Sequence, residues 1–246
     1  MSNISEVVKH LIIINGIFFL ATLAIGDVLY DFFALHYFDN PRFEIWQPLT
    51  HIFMHGNFNH FLFNMFGLWM FGSPLENLWG KNKFIFFYLS AGFGAAAIQT
   101  IIHYIQFTAI TSEIFQLGYG VDSIHKLLTQ GLYDSRILNQ IEESTLISLV
   151  QTYKSTMVGA SGALYGILVA FALLFPNSEL FIIFIPIPVK AKYLVPFIIL
   201  GDLFFGFTSY SIGPIAHFAH VGGAITGLLL MWYWKKNQFN NKRWDL

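Results

Sequence analysis

Apolar residues do not alternate with polar ones along this chain; they run in blocks. The blocks lie around 11–30, 58–79, 84–106, 158–175, 191–208 and 215–234, each near the length of about 20 residues that a helix needs to cross a bilayer. Six spanning helices are the expectation. A shorter run, 181–189, reads Phe-Ile-Ile-Phe-Ile-Pro-Ile-Pro-Val. Its two prolines cannot donate backbone hydrogen bonds, so an interfacial connection is expected there rather than a seventh span. The first block, with Lys9 before it and small residues at 21–24, has the outline of a signal peptide. With five further apolar blocks behind it, an uncleaved first helix is expected.

Residues 107–157 break the pattern. Glu113, Asp122, Asp134, Glu142 and Glu143 outnumber Lys126, Arg136 and Lys154 there. Helical apolar spacing recurs at Ile124, Leu127 and Leu128, and again at Ile137, Leu138 and Ile141, interrupted by Gly118, Gly120 and Gly131. Two short amphipathic helices lying on the membrane or over the bundle satisfy this pattern. The expected organisation is one domain over 1–246 with a polar insertion at 107–157, between the third and fourth helices.

Charge orients the bundle. Lys9, then Lys81 and Lys83, then Lys190 and Lys192, then Lys235, Lys236, Lys242 and Arg243 fall on one side of a six-span arrangement. Basic residues accumulate on the cytoplasmic side, so both termini are expected there. The 36–57 loop, the insertion and the 209–214 turn are then external. Composition agrees: 55% hydrophobic and 11% charged residues contrast with about a quarter charged in soluble domains. A net charge of -1 without a basic patch argues against nucleic acid as a partner. The lack of cysteine excludes a disulfide framework and a thiolate zinc site.

Two stretches carry candidate chemistry. Gly159-Ala160-Ser161-Gly162-Ala163-Leu164-Tyr165-Gly166 sets a hydroxyl among residues too small to shield it, and Ala219-His220-Val221-Gly222-Gly223-Ala224-Ile225-Thr226-Gly227 does the same for an imidazole. A buried serine can serve as mere packing glue between helices. Paired with a histidine in a second close-packing helix, Ser161 reads as a nucleophile and His220 as the group that takes its proton. Gly162 and Gly166, like Gly223 and Gly227, stand four apart and let backbones approach closely. A glycine zipper without catalysis is the plainer reading of either helix alone.

Upstream, His60 and Asn64 lie one turn apart on one helix face. Interhelical hydrogen bonding accounts for them singly. Beside Ser161 and His220 they read as donors to an oxyanion, together with the Ser161 amide.

These features resemble the rhomboid family of intramembrane serine proteases. The matching motifs are Gly-x-Ser-x at Gly159–Gly162, His-x-x-x-Asn at His60 and Asn64, and Ala-His-x-x-Gly-x-x-x-Gly at Ala219, His220, Gly223 and Gly227. His55 and Glu76 also fall where the family often has such residues. The resemblance covers roughly 45 to 230 and implies an all-α polytopic membrane bundle of six helices. It implies a Ser161–His220 dyad, an oxyanion site of His60, Asn64 and the Ser161 amide, and Tyr165 stacked on His220. It further implies membrane-protein substrates cut in a transmembrane segment, and no cofactor or metal.

Two departures bear on this. Where the family often has Trp-Arg, the chain has Trp46-Gln47, so any arginine anchor of the first loop is absent or moved to Arg42. The 107–157 segment is longer than many bacterial members have. Asp202, well into the fifth block, is expected to meet a polar neighbour or water rather than to complete a triad. A bacterial plasma membrane is expected from the absence of a basic, Ser-rich presequence. Two rival readings remain: a metal-dependent membrane protein with ligands among His51, His55, His60, His217 and His220, and a non-catalytic binder of transmembrane helices.

Overall fold

A computed structural model of the protein describes residues 4–182, 185–208 and 215–237. The chain is mostly helical. It opens with α1 (Glu6–Ile25), which ends at Gly26, whose φ of 74° turns the chain into α2 (Asp27–Phe33). Strand β1 (Leu35–His36), α3 (Gln47–Thr50) and a 3-10 turn over His51–Phe53 follow.

The block predicted as one span at 58–79 is three consecutive pieces: α4 (Phe58–Gly67), a π-helical turn over Leu68–Gly72, and α5 (Ser73–Trp79). Pro74 stands in the first turn of α5. A proline denies its N–H to the turn before it, and a wide turn is one way a helix absorbs such a loss. Gly80, at φ 81°, then reverses the chain into α6 (Lys81–Gln116). At 1.5 Å per residue this helix is about 54 Å long, well beyond the 84–106 expected. No breaker interrupts it before Gly118, at φ 87°, so the first ten residues assigned to the insertion, 107–116, continue the helix.

The rest of that segment forms α7 (Val121–Gln130), a 3-10 turn over Ser135–Asn139 and α8 (Glu143–Lys154). Ile124, Leu127 and Leu128 are buried as their spacing predicts. Ile137 and Ile141 are buried but Leu138 is exposed, because that stretch is a tight turn and the second α-helix starts only at Glu143. Together with Tyr37, Ile114, Leu146, Leu149 and Tyr153 these residues build a hydrophobic cluster separate from the main core.

Strand β2 (Thr156–Met157) pairs antiparallel with β1, Leu35 opposite Met157. After it come α9 (Ser161–Leu174), β3 (Glu179–Ile182), β4 (Ile185–Lys190), α10 (Ala191–Phe207) and α11 (His217–Lys236). The run expected as an interfacial connection contributes a short antiparallel pair, Glu179 opposite Lys190 and Leu180 opposite Val189. An all-α description therefore needs these two small strand pairs added.

α9 is the centre. Ala163, Ile167 and Ala170 are all but inaccessible, and the main core around them takes Phe84, Phe87, Tyr88 and Ala91 from α6 and Ala224 from α11. The starts of α1 and α6 and the end of α11 meet at one end of the bundle. Lys81 pairs with Glu6 there, Lys83 lies 4.2 Å from the Trp234 ring, and Glu76 accepts hydrogen bonds of 2.9 Å from the amides of Val7 and Val8. Lys242, Arg243 and the 209–214 turn lie outside the described residues. Among the described residues, Glu6–Ile25 and Lys81–Gln116 are long and apolar enough to cross a membrane, and Ser161–Leu174 is a shorter apolar helix.

Candidate active site

The β1–β2 pair carries the chain from the insertion back to the first loop, and the Gly159 amide then donates to the His51 carbonyl at 2.9 Å. Gly159 has φ 122°, and a Cβ there would come within 2.7 Å of the His60 ring. Only glycine suits both the backbone and the contact. One residue past Ala160, α9 begins at Ser161.

Ser161 and His220 come together across the α9–α11 contact. The Ser161 hydroxyl donates to His220 Nε2 at 2.9 Å. The approach depends on the paired glycines. A Cβ on Gly223 would collide with the Gly162 carbonyl, and one on Gly227 would lie 2.7 Å from the Gly166 Cα. α6 closes the other side with small residues, since a Cβ on Gly166 would meet the Ala91 methyl at 2.6 Å. The Tyr165 ring stacks on the His220 imidazole, centroids 4.2 Å apart and planes 12° from parallel.

His60 and Asn64 line the same cavity as Ser161, Tyr165 and His220, a space of about 620 Å³. Asn57 caps α4 by accepting from the His60 amide. The Gly56 amide donates to His60 Nδ1 at 3.4 Å, which leaves the ring proton on Nε2, the atom facing Gly159. One N–H of Asn64 donates to the His60 carbonyl at 2.8 Å; its amide has a second N–H to offer. The Ser161 amide, at the first position of α9, is among the donors a helix start leaves without an intrahelical partner.

A sequence profile for the Rhomboid domain family matches residues 42–112 and 137–237, which contain every one of these groups. The chain belongs to the rhomboid family. Rhomboids are integral membrane proteins, and the match runs on both sides of the α7 region. Among its relatives are Rhomboid protein 1, mitochondrial, of Saccharomyces cerevisiae, 26% identical over 75% of this chain and 40% of the relative. Rhomboid-like protein 11, chloroplastic, of Arabidopsis thaliana is 24% identical over 90% of this chain and 66% of the relative. Rhomboid protease GlpG of Salmonella newport is 43% identical over a short stretch, 18% of this chain and 16% of the relative. The chain thus spans between 40% and 66% of the length of the first two.

Several rhomboid-site groups differ from expectation. The arginine anchor of the first loop is absent as expected, but Gln47 takes its place and Arg42 does not. Gln47 is fully buried and donates to the carbonyls of Arg42 at 2.8 Å and Asp31 at 3.2 Å, while accepting from the His36 amide at 3.2 Å. Arg42 is exposed, 3.5 Å from Asp31.

Asp202 is buried and reaches the site directly. Its Oδ1 accepts from His220 Nδ1 at 3.1 Å and from His217 Nδ1 at 2.6 Å, and its Oδ2 accepts from the Tyr165 hydroxyl. A carboxylate in an apolar block was the available signal; its partners sit on other helices. His51 donates from Nδ1 to the Gln47 carbonyl at 3.0 Å, and His55 packs its ring edge-on against Phe61 and His60. Burial pushes both rings down to about 4. Among the described residues no group of three His, Cys, Asp or Glu side chains is arranged to hold a metal.

Proposed function

We propose that this chain is an intramembrane serine endopeptidase that cuts transmembrane segments of other membrane proteins. The observation that carries the reading is the 2.9 Å contact between Ser161 Oγ and His220 Nε2, in a cavity that His60 and Asn64 also line. Ser161 attacks the scissile carbonyl as its proton passes to His220 Nε2. The carbonyl oxygen becomes an oxyanion held by His60 Nε2–H, the Asn64 amide and the Ser161 amide, each such donor worth about 3 kcal/mol in the barrier. His220 then gives its proton to the leaving amine, and water, activated by the same imidazole, hydrolyses the acyl-enzyme.

The setting is read as six spanning helices with both termini at the basic, cytoplasmic end. Support comes from the outward faces, where Leu20, Leu23, Phe197, Leu200, Phe204, Phe207, Leu229 and Trp232 are exposed. A surface that apolar suits lipid, not water. The relatives named above are mitochondrial, chloroplastic and bacterial, so they do not select the bacterial plasma membrane among possible hosts. A peptide bond inside a helix is shielded, so substrates carry small or helix-breaking residues near the end that meets the cavity.

Purified protein and its Ser161→Ala variant, incubated with a panel of tagged single-span proteins, test the reading. Cleavage by the wild type alone, mapped by mass spectrometry to a transmembrane segment, supports it. Cleavage that survives Ser161→Ala refutes it.

A further inference from the structure

Asp202 sits on α10, between two imidazoles of α11 and the phenol of α9. It is 7% exposed, and an ionised carboxylate only accepts hydrogen bonds. Both histidines therefore present Nδ1–H to it, His220 at 3.1 Å and His217 at 2.6 Å, while the Tyr165 hydroxyl occupies the second oxygen. Tyr165 also stacks on the His220 ring, so the group that holds the carboxylate also holds the plane of the imidazole.

We infer that Asp202 is the positioning residue of this site, making it a Ser161–His220–Asp202 triad rather than a dyad. The inference rests on the proteolytic reading above. Its physical content is a tautomer. With Nδ1 carrying the proton, Nε2 has a lone pair aimed at the Ser161 hydroxyl 2.9 Å away, which is the arrangement a general base requires. During attack the serine proton moves to Nε2 and the imidazole gains a positive charge. Asp202 stabilises that charge and takes no proton itself. His217 and Tyr165 keep the carboxylate from turning away, and among the described residues the remaining nitrogen of His217 is buried without a hydrogen-bond partner.

A simple tie between α10 and α11 would need neither ionisation nor a tautomer, and this separates the two roles. In Asp202→Asn an amide N–H can face His220 Nδ1, making Nδ1 an acceptor and moving the ring proton to Nε2. The serine then meets a donor. The full-length protein in detergent micelles, wild type and Asp202→Asn, is compared by ¹⁵N imidazole spectra, with His220 assigned through His220→Gln, and by turnover of a cleaved single-span substrate. Expected are a protonated Nδ1 and bare Nε2 on His220 in the wild type and the reverse in Asp202→Asn. Turnover is expected to fall on the order of 10²- to 10⁴-fold, toward the loss that follows replacement of a triad aspartate by asparagine, with KM unchanged.

A wild-type His220 protonated on Nε2 overturns the inference. So does a folded Asp202→Asn variant that turns over within threefold of the wild type. Should that variant not fold, the wild-type spectrum decides alone. Absence of Ser161-dependent cleavage in the wild type would fail the proteolytic reading instead, and the spectrum would still report whether Asp202 sets the imidazole.

Discussion

Gly223 faces the main-chain carbonyl of Gly162 so closely that a methyl group has no room between them. The obstacle is backbone, which cannot rotate aside as a side chain can. Gly223→Ala must therefore separate α9 from α11, at a cost typical of overpacking, about 1–3 kcal/mol. Because the Ser161–His220 hydrogen bond spans this same contact, fluorophosphonate labelling of Ser161 is expected to slow at least tenfold. Gly201, on α10 with nothing among the described residues near its missing Cβ, is the control. Gly201→Ala should leave labelling unchanged and raise thermal stability by up to about 1 kcal/mol through helix propensity.

Gln47 gives a contrast of the same kind in the first loop. Removing its side chain leaves the buried His36 amide and the carbonyls of Asp31 and Arg42 without partners, and an unmet buried polar group costs about 1–3 kcal/mol. Gln47→Ala is expected to lower the unfolding midpoint in detergent by several degrees. Arg42→Ala removes only an exposed pair with Asp31, worth at most about 1 kcal/mol, and should barely move it. Equal effects of the two substitutions would contradict this account of the loop.

The sequence made these sites legible to different depths, for physical reasons. Long apolar blocks announce helices because nothing else satisfies so many backbone groups out of water. Ser161 and His220 stand out because residues as small as Gly162 and Gly223 have little use except close approach. Gln47 looks in the sequence like a missing arginine, because an amide's three hydrogen bonds depend on where Asp31, His36 and Arg42 fold, which no local pattern records. Asp202 was legible as a costly carboxylate, but its partners Tyr165, His217 and His220 come from two other helices. The length of α6 exceeds its apolar block because Thr108, Thr111, Ser112 and Glu113 lower hydropathy without breaking a helix.

Glu76 binds α5 to the start of α1. It accepts from the Val7 and Val8 amides, two of the donors a helix start leaves over, and from the Ser5 hydroxyl. Hydrogen bonds to a charged acceptor contribute about 1.5–3 kcal/mol each. Glu76→Ala is therefore expected to destabilise the protein by on the order of 3 kcal/mol and to increase hydrogen exchange at residues 6–9 before exchange rises elsewhere. Uniform exchange across the bundle would show that α1 is not held by this cap.

His51 and His55 predict an acid limb to stability. Burial lowers both from 6.5 to about 4, so between those values the unfolded chain binds protons that the folded chain refuses. Stability is then complete above about pH 6.5 and declines as pH falls toward 4, by on the order of 1–2 kcal/mol per histidine at pH 5. Among the described residues neither nitrogen of His55 has a hydrogen-bond partner, so His55→Leu removes a titrating group without orphaning another. Unfolding midpoints from pH 7.5 to 4.5 should fall less steeply in this variant. A slope identical to the wild type would show that His55 titrates normally in the folded protein.

Asn64 offers the sharpest test of the oxyanion assignment, because its stability role and its proposed chemical role use different hydrogens. The N–H that donates to the His60 carbonyl only reinforces α4, whose own backbone ladder already serves that carbonyl, so its loss costs little. The second N–H has work only when negative charge develops on the substrate oxygen. Asn64→Ala is accordingly expected to lower kcat on the order of 10²-fold, with KM and the unfolding midpoint nearly unchanged. Asn64→Asp should do worse: a carboxylate has no N–H to offer and places negative charge beside the oxyanion. A rise in KM at constant kcat would assign Asn64 to substrate binding and leave His60 and the Ser161 amide to carry the stabilisation.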